Sequence, residues 1–296
     1  MADTLVDEEK FGVFASPANP AVHLFYKLVP CSSGAATAKD VIVLSNSLTA
    51  DVTIWNEFVA AFKDDYTLLL YDQRFHGSSP AAPAYDYDKG TTFDELAADV
   101  RDLLDHLGIA RVRALVGLSM GSTTAVVFAA AYPDRVDRIV VAGTGLRSAP
   151  NAKSAEDPFE QRIALARDQG MAVLADATIE RWFPVPAGGA DFKQEQAERV
   201  REIRAVAAGT SLGAFVASVR ALQAFDLTAS LDKIVGDGRA ADVLLVAGEL
   251  DGPLPAAMGG MADKWGLRLE VVGGCGHIVN VQAADRFNAL VRSFIE

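Results

Sequence analysis

The 296-residue chain is poor in cysteine, in histidine and in basic charge. Its two cysteines, Cys31 and Cys275, lie far apart, which excludes a disulfide framework and a cysteine-based metal site by spacing. Cys275 stands two residues before His277, but a buried bystander is the simpler reading. Lys and Arg number 27 against 39 Asp and Glu, a net charge of −12. Phosphate backbones want a basic face, so no nucleic-acid partner is expected. The same balance means that a small anionic substrate needs a local positive group. No apolar stretch is long enough to span a bilayer, so no membrane partner is expected. Residues Met1 to Lys10 are acidic and lack an apolar segment, unlike a secretory leader. A cytoplasmic, reduced setting is the expectation.

Hydrophobic residues are plentiful, at 50%. They suffice for one large α/β core with an insertion, or for two domains. The most informative stretch runs from Val112 to Ser122. Val112-Arg113-Ala114-Leu115-Val116 reads as a buried strand. Gly117-Leu118-Ser119-Met120-Gly121, a Gly-x-Ser-x-Gly motif, follows at once. The Ala-rich run from Thr123 to Tyr132 then reads as a helix. Strand, tight turn and helix are the setting of a nucleophile elbow. So sharp a turn leaves no room for side chains beside Ser119, and Gly117 and Gly121 have none. The Met120 N–H, at a helix start, is placed to stabilise an oxyanion. An ordinary Gly-bounded turn is the bland alternative, so the rest of the chain must supply an acid and a histidine.

Other strands are predicted within Val22–Val29 and at Val41–Leu44, Thr67–Tyr71, Arg138–Ala142, Asp242–Ala247 and Leu269–Val272. Helices are predicted near Trp55–Phe62 and after the capping box Thr92-x-x-Glu95, and Ala283–Ile295 closes the chain. Strands alternating with helices predict a mostly parallel sheet covered on both faces. From about 147 to 229 the short apolar strands disappear. Helices are predicted there at Ala152–Gln169, Met171–Phe183, Asp191–Ala208 and Ser211–Phe225. An all-helical insertion in an alternating chain reads as a cap over the sheet. The organisation is therefore a core in two parts, 1–146 and 230–296, with a helical cap at 147–229.

Ser119, Asp251 and His277 each follow a predicted strand. In a parallel sheet the loops after the strands share one edge, so these residues can converge. Their order, Ser…Asp…His, is that of the α/β-hydrolases. His277 would take the Ser119 proton during attack on a carbonyl, and Asp251 would hold the imidazole. Glu249 is a competing acid, two residues nearer the strand end. Of the four histidines, His23 lies in an early strand, His106 on a helix, and His76 in a loop that lines the site or bonds to backbone. A second oxyanion donor is expected after the first long apolar strand, at the Leu48 N–H.

Three segments make the resemblance specific. They are Leu44-Ser45-Asn46-Ser47-Leu48 with Trp55 after it, the elbow itself, and Glu180-Arg181-Trp182-Phe183. Together they resemble the 3-oxoadipate enol-lactonases within the α/β-hydrolase superfamily, and the superfamily likeness covers nearly the whole chain. Ser122 stands where that family usually has a third Gly, Thr49-Ala50 replaces a Gly-containing pair, and Phe75 interrupts the usual Arg-Gly-His-Gly.

The resemblance implies an α/β-hydrolase fold and hydrolysis of an unsaturated lactone bearing a carboxylate, with no metal or organic cofactor. It makes Asn46 and Ser47 candidates for substrate contact. Arg fits a carboxylate bidentately. Arg181 is the first candidate, ahead of Arg147 and Arg220, with a surface ion pair as the alternative for each. Trp182 and Phe183 would wall the pocket or pack the cap. A carboxylesterase, another lactonase, a carbon–carbon bond hydrolase or a cofactor-free perhydrolase would use the same triad, and fold does not separate them. A ligand-binding receptor is the alternative outside enzymes, and a complete triad argues against it.

Overall fold

Apolar runs at the sheet centre and amphipathic runs around it set the architecture. The computed structural model describes residues 9–17, 19–33, 40–149 and 151–296. In chain order, the first half contains β1 (Lys10–Ala15), β2 (His23–Val29), β3 (Val41–Ser45), α1 (Asn56–Phe62), β4 (Thr67–Tyr71), α2 (Phe93–His106), β5 (Val112–Leu118), α3 (Met120–Ala131) and β6 (Val136–Ala142). Helices alone follow: α4 (Pro158–Gln169), α5 (Met171–Trp182), α6 (Phe192–Glu195), α7 (Ala197–Gly209), α8 (Leu212–Leu222) and α9 (Thr228–Gly236). The alternation resumes with β7 (Val243–Gly248), α10 (Leu254–Trp265), β8 (Arg268–Val272), α11 (Val279–Gln282) and α12 (Ala284–Ile295).

The strands form one sheet in the order β1-β2-β4-β3-β5-β6-β7-β8. β1, β2 and β4 pair antiparallel, and from β4 to β8 every pairing is parallel. This is the α/β-hydrolase fold that the sequence predicts. Alternation along each central strand feeds two cores. Val43, Leu69, Leu115, Val141 and Leu245 pack on one face. Ile42, Leu44, Leu68, Leu70, Val116 and Val140 pack on the other, against Trp55, Phe58 and Phe287. Among the described residues no single helix is long and apolar enough to cross a membrane.

Two predicted helices depart most from the observed ones, and α9 and α10 lie where the sequence predicts no helix. α4 begins at Pro158 rather than near Ala152, because the Asp157 side chain caps it and Pro occupies the first turn. The residue before a proline is disfavoured in a helix, which fixes that boundary. The run predicted from 191 to 208 is broken at Gln196, whose φ of −118° and ψ of 41° are not helical.

The topology has one feature that places the site. The chain passes from β3 outward to β4, then returns across β3 to β5. The crevice between β3 and β5 is therefore the switch point at which ligands sit in such sheets. The register sets Ser45, the last residue of β3, level with Gly117 near the end of β5.

Candidate active site

The turn from β5 to α3 is as tight as its sequence requires. A Cβ on Gly117 would lie 2.4 Å from the Gly121 carbonyl oxygen, and one on Gly121 would lie 2.1 Å from that of Ser45. Ser119 sits between them at φ 55° and ψ −113°, a conformation that costs free energy and clusters at functional sites. Its N–H donates to the Ala142 carbonyl at 2.7 Å. Ser122 is buried, and its hydroxyl lies 2.7 Å from the Gly117 carbonyl and 2.8 Å from that of Ala142. The hydroxyl thus fastens the turn to β6. Met120 opens α3, so its N–H has no partner within the helix. No backbone acceptor is bonded to the Leu48 N–H among the described residues. Leu48 and Met120 share one apolar cluster at the sheet edge.

The histidine comes from the other side of the same edge. His277 Nδ1 lies 2.7 Å from Asp251 Oδ2, and both side chains are buried. A Cβ on Gly143 would touch the His277 ring at 3.4 Å and Asp251 at 3.5 Å. Ser119 and His277 therefore rest on adjacent residues, Ala142 and Gly143, at the end of β6. Glu249, the competing acid, accepts from the Gly274 N–H at 2.8 Å and holds the loop instead. Burial draws the His277 pKa below its ordinary value, with Asp251 opposing and Arg181 and Arg162 adding to the depression. A neutral imidazole is the form that accepts a proton.

The helical segment reaches this histidine. The His277 N–H donates to the Trp182 carbonyl at 3.1 Å. The two rings stack at 6.3 Å between centroids. Trp182 is buried, and its Nε1 has no partner among the described residues. Phe183 is also buried, and it stacks on Phe192 within the helical segment. Its position is that of a packing residue, one of the two roles the sequence left open.

Arg181 has an open surface, yet the surrounding protein draws its pKa down to about 10, with the like charge of Arg162 adding to the effect. Arg162, on α4, is half-buried and stacks over Phe159 at 5.1 Å. Burial lowers its pKa too. Neither guanidinium has a carboxylate within ion-pair distance among the described residues. Arg220, by contrast, is paired with Glu160 and bonded to Gln223. Arg147 pairs through its backbone with Asp226 in an isolated antiparallel β-bridge.

Asn46 has a different use from the expected one. Its amide donates to the Tyr71 carbonyl at 3.0 Å and to Asp72 at 3.3 Å, and its oxygen accepts from Trp55 Nε1 at 2.9 Å. The side chain is fully buried and spent on holding the loop. Ser47 is buried, with its carbonyl accepting from the Ala50 N–H at 3.2 Å and from Gln73 Nε2 at 3.2 Å. Asp72 accepts from the Val52 and Ser78 N–H groups at 2.8 Å each, and burial pushes its pKa up to about 7. His76 bonds through Nδ1 to the Arg74 carbonyl at 2.9 Å, and burial pulls its pKa down to about 4. Cys275 is buried, with its thiol pushed up to about 11.

Sequence reasoning missed Arg162 and Gln73. For Arg162 no local signal exists, since a helix arginine usually faces water. Gln73 carried a topological one: it follows β4, the strand beside β3.

This fold, with a strained serine between glycines beside a carboxylate-bound histidine, belongs to one class of protein. Residues 40–284 match the family model for the α/β hydrolase fold, and the chain belongs to that family. It is a hydrolytic enzyme acting on ester bonds. It is similar to 3-oxoadipate enol-lactonase 2 of Acinetobacter baylyi, with 30% identity over 87% of this chain and 89% of the relative. A putative carbamate hydrolase, RutD, of a Caulobacter species is 29% identical over 88% of this chain and 92% of its own. Among solved structures, the enol-lactonase from Burkholderia xenovorans superposes with a TM-score of 0.79 at 30% identity, covering 96% of this chain and 99% of that one.

Proposed function

We propose that the chain is a serine hydrolase that opens a lactone or ester carrying a carboxylate, with 3-oxoadipate enol-lactone as the best-supported substrate. The observation that carries this reading is the pair of arginines, Arg162 and Arg181, that form no ion pair among the described residues and whose charges act on His277. The like charges of Arg162 and Arg181 disfavour one another, a cost to the empty site. A carboxylate ligand would offset that cost and be held bidentately. The names of two similar proteins, both enol-lactonases, point the same way.

In the proposed mechanism Ser119 Oγ attacks the ring carbonyl while His277 takes its proton. Asp251 fixes the tautomer through the bond to Nδ1 and stabilises the imidazolium. The Leu48 and Met120 N–H groups hold the tetrahedral oxyanion. The ring C–O bond then breaks as the His277 imidazolium gives its proton to the leaving oxygen, which departs as an enol that becomes a ketone and leaves His277 neutral. His277 next activates a water, which hydrolyses the Ser119 ester and restores the enzyme. Residues 147–229 act as the cap, and Arg162 and Arg181 on it orient the ring by its carboxylate. The substrate is a small molecule.

The test compares kcat/KM for 3-oxoadipate enol-lactone, a neutral γ-lactone and p-nitrophenyl acetate. Ser119→Ala and His277→Ala each abolish turnover without lowering the melting temperature. Arg162→Ala and Arg181→Ala each raise KM about tenfold to a hundredfold for the anionic lactone, the worth of a hydrogen bond to a charged group, and leave the neutral substrates unchanged. Equal effects on charged and neutral substrates would discard the clamp. An active Ser119→Ala would discard the mechanism.

A further inference from the structure

Gln73 stands where the loops after β3, β4 and β5 meet. It is 4% exposed, so its carboxamide is withdrawn from water and must find protein partners. Nε2 lies 3.2 Å from the Ser47 carbonyl oxygen and 3.7 Å from Met120 Sδ. A carbonyl oxygen only accepts, so the nitrogen end of the amide must face it. The two N–H bonds of one carboxamide thus reach both residues that flank the proposed oxyanion site.

The contact with Ser47 has a geometric consequence. The Ser47 carbonyl and the Leu48 N–H belong to one peptide group, which is planar and trans. Oxygen and hydrogen point in opposite directions across that plane. Whatever fixes the Ser47 oxygen therefore aims the Leu48 hydrogen. A bond accepted at the oxygen also polarises the amide and makes its N–H a stronger donor.

The loop needs such a hold. Thr49, the next residue, has φ 60°, in the left-handed region that a β-branched side chain disfavours. The Thr49 hydroxyl bonds to the Leu48 carbonyl at 2.6 Å, and the Ala50 N–H closes the turn onto Ser47. Both contacts are internal to the loop and move with it. Gln73 is anchored outside the loop, past β4, and ties it to the sheet.

We propose that Gln73 is a positioning residue for acyl transfer, aiming the Leu48 amide at the developing oxyanion without touching the substrate. This rests on the serine-hydrolase reading above. The same side chain also touches the Met120 thioether, so it packs between the oxyanion loop and the start of α3.

The test uses p-nitrophenyl acetate as substrate and phenylboronic acid as a mimic of the tetrahedral adduct on Ser119. Gln73→Met keeps the length and removes the donor. It should lower kcat about tenfold to a hundredfold, somewhat less than outright loss of an oxyanion donor, with KM nearly unchanged. The inhibition constant for phenylboronic acid should rise by the same factor as kcat falls. Gln73→Glu supplies a second arm, which decides the matter if the first variant does not fold. Its protonated carboxyl donates to the Ser47 oxygen, whereas its ionised form repels it. The ratio of variant to wild-type kcat should therefore climb as pH falls. A merely structural role would lower the melting temperature and leave the boronate affinity and the pH ratio flat, and that result overturns the proposal. An active Ser119→Ala would sink the underlying hydrolase reading. An inert Ser119→Ala beside an unaffected Gln73→Met removes only Gln73.

Discussion

Replacing Gly121 by alanine adds one methyl group at the tightest point of the site. That carbon would sit 2.1 Å from the Ser45 oxygen, 2.5 Å from the Ser45 carbonyl carbon and 2.9 Å from the Asn46 oxygen. Every obstacle is backbone, so no side chain can rotate away. A carbon–oxygen contact needs about 3.3 Å, so the start of α3 and the end of β3 must separate by about 1.2 Å. The oxyanion loop continues from Ser45 and Asn46, and Ser119 precedes α3. The shift therefore pulls the Leu48 and Met120 amides apart. A displacement of about 1 Å in a reacting constellation costs on the order of a hundredfold in rate. Overpacking of a filled interior costs about 1–3 kcal/mol in stability. The measurement is kcat/KM on p-nitrophenyl acetate together with a thermal melt. Gly121→Ala with wild-type activity and melting temperature would refute the reasoning, because the contact would then be absorbed elsewhere.

The matching change at Gly260 should act in the opposite direction. It is exposed in the middle of α10, a Cβ there meets nothing within 4 Å, and Ala gains about 1 kcal/mol over Gly in a helix, or about 2–4 °C in melting temperature. Asp251→Asn should leave the fold intact and lower kcat by about three to four orders of magnitude, since it removes the charge that holds the His277 tautomer; a loss below tenfold would reassign the acid. The acid limb of the pH–rate profile should lie below pH 6.5, because burial depresses the His277 pKa. Loss of the Arg162 or Arg181 charge removes a cation that disfavours imidazolium, so either alanine variant should move that limb upward. The same depression means that the unfolded chain takes up the His277 proton more readily, so the wild type should lose stability relative to His277→Ala as pH drops through 6.5, the opposing effect of the raised Asp72 pKa being common to both. Urea melts across that range check the sign.

The central strands were legible because a sheet covered on both faces admits few polar residues. Ile42, Leu69, Val116 and Val246 are all buried. α10 escaped the sequence reading, and its Gly259-Gly260 pair and flanking prolines explain why. Those residues weaken any local helix signal, and packing of Met258 and Met261 against the sheet overrides them. Thr49, in the Thr49-Ala50 pair, and Phe75 mark two of the departures from the resembled motifs, and both hold positive φ, 60° and 65°. Phe75 packs at an angle against the Tyr85 ring and edge-on against Tyr87, contacts available only in the folded chain. Asn46 shows the converse. Its motif suggested a ligand contact, but the Trp55 indole, nine residues on, takes its oxygen. Whether a polar side chain is free or spent depends on distant partners, and no local pattern encodes that.

The bond from the His277 amide to the Trp182 carbonyl ties the general base to the end of α5, and Pro184 presses on Gly276 just before it. The helical segment and the histidine loop are thus mechanically one piece at this corner. A hinge that lifted α5 away would therefore pull on the loop that carries the imidazole. For anyone exchanging helical segments between relatives to change specificity, the graft boundary matters. A joint placed before Trp182 leaves the base on its native support, and one placed after Pro184 replaces that support with a stranger's.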